Sequence, residues 1–200
     1  MSEWWTYTLS DFLMYAPRTY WRLVELYNRE FWPLQLPLLA AGLGALWLAH
    51  TRAVPAWRAI VLGLAAIWAW VAWAFLWERY ATINWAAQYV AVAFAVQAVL
   101  LAGMALRPRL THPPQGAVAR GAGALLAAAG LSYPLLGLAL GRPWGQAEAF
   151  GMAPEPTALF TLGLLLLLGQ PSTRTGRALL FYIPLLGLLL GAATGWTFLN

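Results

Sequence analysis

Cysteine and lysine are both missing from this chain. Without thiols it can form no disulfide, no thiolate metal site, no iron–sulfur ligation and no cysteine relay for metal transfer. Charge of either sign is scarce. Charged residues make up 10% of the 200, against about a quarter in a soluble domain. The opening "MSEWWTYTLSDFLMYAP" lacks a basic region followed by an apolar core, so no cleaved signal peptide is expected there.

What is present is apolar: 62% of the residues are hydrophobic, and several windows reach the roughly 20 residues that cross a bilayer. The reading is all-α, a polytopic membrane helix bundle forming one integral membrane domain over residues 1–200. Six transmembrane helices are expected, at about 31–49, 57–77, 83–106, 121–140, 147–169 and 177–199, after an N-terminal interfacial amphipathic helix within 1–30. In that first segment Tyr20, Leu23, Val24, Tyr27 and Phe31 share a face, with Arg18, Arg22, Glu25 and Arg29 largely opposite. It serves as an interfacial anchor or as a docking helix for a partner subunit.

All twelve basic residues are arginine, and the net charge is +5. Their placement beside apolar spans is a topology signal and not a nucleic-acid footprint, so no nucleic-acid partner is expected. Arg52, Arg58, Arg107, Arg109, Arg120, Arg174 and Arg177 fall on one side with no acid. Arg18, Arg22, Arg29, Arg79 and Arg142 fall on the other, with all seven acids: Glu3, Asp11, Glu25, Glu30, Glu78, Glu148 and Glu155. Arginine-rich short loops stay cytoplasmic, which places both termini outside a bacterial inner (cytoplasmic) membrane.

Polar groups inside apolar spans are informative because lipid penalises them. Tyr80, Asn84 and Gln88 recur every four residues and continue into Ala91 and Ala95. Such a stripe suits a close helix contact with amides bonding across it, or a wet path for a solute. Gln97 lies on roughly the opposite face. The second unusual stretch is "EAFGMAPEPTALFTLGLLLLLGQ". Thr157 to Gly169 is 13 residues, roughly 20 Å of helix, short of a core about 30 Å thick. Pro156 suits a first helical turn and Glu155 complements its positive end, so the helix is expected to begin around Glu155 to Thr157. The residues before it then enter as a turn lining protein or water; the alternative is a kinked continuous helix, Gln146 to Gly169. Thr157 and Thr161 continue one face inward. Together Glu78, Arg79, Tyr80, Asn84, Gln88, Glu155, Thr157 and Thr161 are the candidate polar pathway, an outward-facing vestibule near Glu155.

His50 and His112 sit in connections, unsuited to bis-histidine haem, and no spacing supports a metal site or a general acid–base pair. No catalytic residue, cofactor or metal is therefore expected. Trp70, Trp73 and Trp77 share a face and read as packing or lipid contacts. "YPLLGLAL" at 133–140 echoes "IPLLGLLL" at 183–190 in spans running the same way, with Pro134 and Pro184 as kinks; this is not an inverted repeat.

Three ordered stretches, "LSDFLMYAPRTYWRLVELYNREFWPLQL", "ERYATINWAAQYVAVAFAVQAVLL" and "FGMAPEPTALFTLGLLLLL", resemble a family of small bacterial integral membrane proteins of unknown function, loosely labelled permeases. The resemblance runs over residues 9–169. Where similar members carry "PCPT" this chain has Glu155 between its prolines, so no thiol role carries over. Two functions fit: a permease- or channel-like membrane protein, and a structural or accessory subunit of a larger membrane complex. Membrane lipids are the expected partners, with a homo-oligomer or a larger complex as the assembled form; a membrane enzyme ranks third.

Overall fold

The computed structural model describes residues 15–51, 57–106, 116–168 and 174–199. Residues 1–14, with Glu3 and Asp11, and also His112, Arg52, Arg107 and Arg109 lie outside the described residues. Proline sets the first boundary: Ala16, extended ahead of Pro17, gives way to helix α1, Pro17–Glu30. Tyr20, Val24 and Tyr27 of α1 are buried, and Arg18, Arg22 and Arg29 face out. The expected apolar stripe thus packs into the protein core. Asn28 clamps α1 onto a turn more than a hundred residues further along the chain, donating to the carbonyls of Gly145 at 3.0 Å and Ala147 at 2.9 Å.

Six further helices follow: α2 (Gln35–His50), α3 (Trp57–Trp70, continued by a π-helical stretch, Val71–Trp77), α4 (Ala87–Leu106), α5 (Ala117–Ala139), α6 (Pro154–Leu168) and α7 (Arg174–Leu199). Among the described residues there is no strand. Among the described residues four stretches are long and apolar enough to cross a membrane, Trp57–Thr82, Ala87–Leu106, Ala117–Ala139 and Leu180–Phe198, or five if the bent pair Pro17–Glu30 and Gln35–His50 counts as one span. Six spans of full length are therefore not found among the described residues. Helix α2 has 16 residues and α6 has 15, roughly 24 Å and 22 Å of rise. Helix α1 meets α2 at 88°.

The boundary of the third expected span also moves. Its helix begins at Ala87, not Ile83, because polar side chains compete for the backbone before it. Thr82 Oγ1 donates to the Arg79 carbonyl at 2.6 Å, and Asn84 Oδ1 accepts from the Ala86 N–H at 3.1 Å.

Apart from Glu155, Thr157 and Thr161, helix α6 is apolar on every face, as suits a helix surrounded by other helices. Pro156 to Ala158 and Phe160 to Leu165 are all buried, with α5, α7, α2 and α3 around them. Enclosed in this way by other helices, α6 is shorter than a membrane-spanning length requires. Its closest neighbour is α5, through glycine. A methyl group added at Gly130 would lie 2.7 Å from the Phe160 nitrogen and the Pro156 carbonyl oxygen. One added at Gly163 would collide with the backbone of Gly123 and Ala127. Small residues at such spacing let backbones approach closely.

Elsewhere Trp68 stacks beside Phe94 (centroids 4.2 Å apart) and donates its indole N–H to Thr161 Oγ1 at 2.8 Å. Gln97, off the polar stripe as expected, donates to the Leu180 carbonyl of α7 at 3.1 Å. The outward faces of α2 to α5 and α7 are apolar, with Trp47, Trp73, Trp77, Val99, Leu125 and Leu189 all exposed. Trp70, whose ring meets that of Trp73 at 5.9 Å, is a packing contact, as expected. It is half-buried against Phe31 and donates to Tyr27 Oη at 3.1 Å.

Candidate functional site

Backbone geometry between α5 and α6 decides where Glu155 points. Gly141 (φ 77°) ends α5, Pro143 is extended, and Trp144–Gln146 makes one 3-10 turn. Ala147 is extended again, and Gly151 takes φ 77°, a conformation open to glycine. The segment is thus a folded turn, which overturns the continuous helix from Gln146 and shortens the expected span 147–169 to Pro154–Leu168. Thr157 holds the turn to the helix. Its Oγ1 accepts from the Gly151 N–H at 2.9 Å and donates to the Ala153 carbonyl at 2.7 Å. Replacing Thr157 with valine keeps the shape and orphans that buried N–H. A loss of about 1–3 kcal/mol is expected, read from denaturant titration of the purified protein.

Glu155 then sits in the first turn of α6. Its carboxylate lies against Gly191 of α7, where a β-carbon would collide with it. Its Oε2 is buried with no hydrogen-bond partner, and among the described residues no cation pairs with it. Glu148 is buried nearby and differently served: Tyr20 Oη donates to its Oε1 at 2.7 Å, and Arg142 Nη1 is 3.6 Å from its Oε2. The Arg142 guanidinium lies 3.8 Å above the Trp21 ring.

These groups border a cavity of about 500 Å³ where helix ends converge. Tyr20 and Trp21 come from α1, Phe75 from the end of α3, Tyr133 from α5, and Gly187 and Gly191 from α7. Tyr80 and Asn84 enter from the α3–α4 turn; Tyr80 Oη hydrogen-bonds Tyr15 Oη, and Asn84 Nδ2 reaches Tyr80 Oη at 3.4 Å.

Of the eight candidate residues, Tyr80, Asn84 and Glu155 meet at this cavity. The others are elsewhere. Gln88 is exposed, as is Ala95; Ala91 of the expected stripe is buried, together with Ala87, Phe94 and Ala98 of the helix that starts at Ala87. Glu78 and Arg79 line a separate groove beside α1. There Arg79 pairs with Glu30 at 2.8 Å, donates to the Ala74 carbonyl and covers the Phe31 ring. Thr157 and Thr161 are spent on structure: Thr161 Oγ1 donates to the Thr157 carbonyl at 2.8 Å and accepts from Trp68. On the outer face of α1, the hydrogen bond from Arg22 holds the Glu25 carboxyl below its usual range.

Sequence reasoning did not single out Tyr20, Trp21, Tyr133 or Arg142 as site residues. Tyr20 and Trp21 lay within an amphipathic stripe and belt aromatics, and no spacing links them to Glu148, 128 residues from Tyr20. His50 is exposed. Among the described residues no three of His, Cys, Asp and Glu converge.

Residues 18–198 match a family of unknown function (DUF6064), and the chain belongs to that family. The match reaches through α7, beyond the 9–169 of the sequence resemblance. No curated protein and no solved structure matches the chain.

Proposed function

We propose that this DUF6064 protein is a multi-pass protein of the bacterial inner membrane, permease- or channel-like, whose cavity around Glu155 handles a solute from the outer side. The apolar exterior supports the membrane setting, since soluble monomers rarely expose contiguous apolar patches beyond a few hundred Å². Four full-length spans plus the shorter α2 and the enclosed α6 would make six passes, with both termini outside by the arginine distribution. The observation that carries the functional reading is the Oε2 of Glu155, buried without a hydrogen-bond partner beside a ligand-sized cavity.

Reconstitution in liposomes tests it. Glu155→Gln should change solute flux by roughly tenfold or more while expression and membrane insertion stay at the native level. Unchanged flux in that variant removes the reading. One observation favours the second reading, an accessory subunit: an apolar groove of about 700 Å³ between α2 and α5, lined by Trp32, Leu36, Leu39, Leu135 and Trp144. Stoichiometric co-purification with a fixed partner from native membrane would favour it over the first.

A further inference from the structure

The cavity's charge and lining narrow what it can hold. Arg142 and Glu148 face each other and offset one another, and the Arg142 guanidinium is stacked on Trp21. Glu155 is left as the excess charge. Among the described residues its Oε2 lacks a hydrogen-bond donor as well as a counter-charge. A ligand bearing N–H donors and a positive charge satisfies both needs at once. A bare metal ion wants about six oxygens, and among the described residues no three of His, Cys, Asp and Glu come together to supply them. The walls are instead apolar and aromatic, with Tyr20, Phe75, Tyr80, Tyr133 and Phe198 around the space. Rings of that kind attract organic cations. The space is also kept open by sequence: Gly187 and Gly191 on α7 carry no side chain where the carboxylate and Phe94 approach.

From this geometry we infer that the cavity takes a small organic monocation, a protonated amine with an apolar body, and that Glu155 supplies its counter-charge. The inference rests on the solute-handling reading and names its substrate class. A test on the native protein needs no variant. Benzylammonium, benzyl alcohol and benzoate differ in charge and share a ring, and their binding to the purified protein is read by calorimetry at neutral pH. Benzylammonium should saturate and bind roughly tenfold or more tighter than the alcohol, with benzoate weaker still. Glu155→Gln should erase the preference, whereas Glu78→Gln, on an exposed side chain of the separate groove, should keep it. Equal binding of ammonium and alcohol, no saturable binding of any probe, or a preference surviving in Glu155→Gln overturns the inference. Flux of a neutral or anionic solute without ammonium preference overturns the substrate class alone. Ammonium binding with no flux in liposomes overturns the transport reading alone.

Discussion

Gly163→Leu should abolish assembly of the bundle. The side chain would have to enter where α5 and α6 are in backbone contact, at Gly123 and Ala127. Overpacking among flexible side chains costs about 1–3 kcal/mol, because neighbours can rotate away. Here the obstacle is main chain, which moves only if a whole helix moves. A loss above about 4 kcal/mol is expected, enough to exhaust a marginal stability, with little folded protein recovered in detergent. Gly163→Ala should fold at reduced stability. The control is Gly103→Leu on α4, where an added β-carbon meets nothing within 4 Å. It should unfold at nearly the native denaturant concentration. Equal stability of Gly163→Leu and Gly103→Leu would mean that the α5–α6 approach is not as close as described.

Arg142→Met is expected to have the next largest effect. Methionine preserves the apolar packing of the stem but leaves Glu148 buried, with Tyr20 as its remaining donor. Removing one partner of a buried pair costs about 3–5 kcal/mol, chiefly for the charge left behind. The ion pair is long at 3.6 Å, so the lower part of that range is expected. The diagnostic is the double variant. Adding Glu148→Gln to Arg142→Met removes the orphaned charge and should restore most of the loss, a coupling visible in a thermodynamic cycle by denaturant titration. Additive losses would show that the two side chains act independently.

Much of this architecture is legible residue by residue. The stripe Tyr20, Val24, Tyr27 names the buried face of α1, and the Pro154–Glu155–Pro156 run marks the start of α6 to within a residue. Those signals are local, since periodicity and proline stereochemistry act over one or two turns. The stripe through Gln88 and Ala95 failed for the same reason: it assumed a helix through Ile83 to Trp85, and a change of backbone there rotates everything after it. Grouping Glu78 with Glu155 failed differently. Both stand near one end of the bundle, but α1 lies between the groove at Arg79 and the cavity at Glu155 and contributes side chains to both. Sequence distance holds no record of such a partition.

By itself, then, the amino-acid order determined an all-helical chain rich in membrane-length apolar helices, and a short sixth element announced by two prolines. Composition and spacing suffice for that, because burial of apolar surface and backbone hydrogen bonding are settled locally. Tertiary structure alone decided that this short element lies at the centre, held to α5 by glycines, and that Tyr20, Arg142 and Glu148 gather beside Glu155. Those meetings join residues on different helices, and only the packing of helix against helix chooses which side chains face one another.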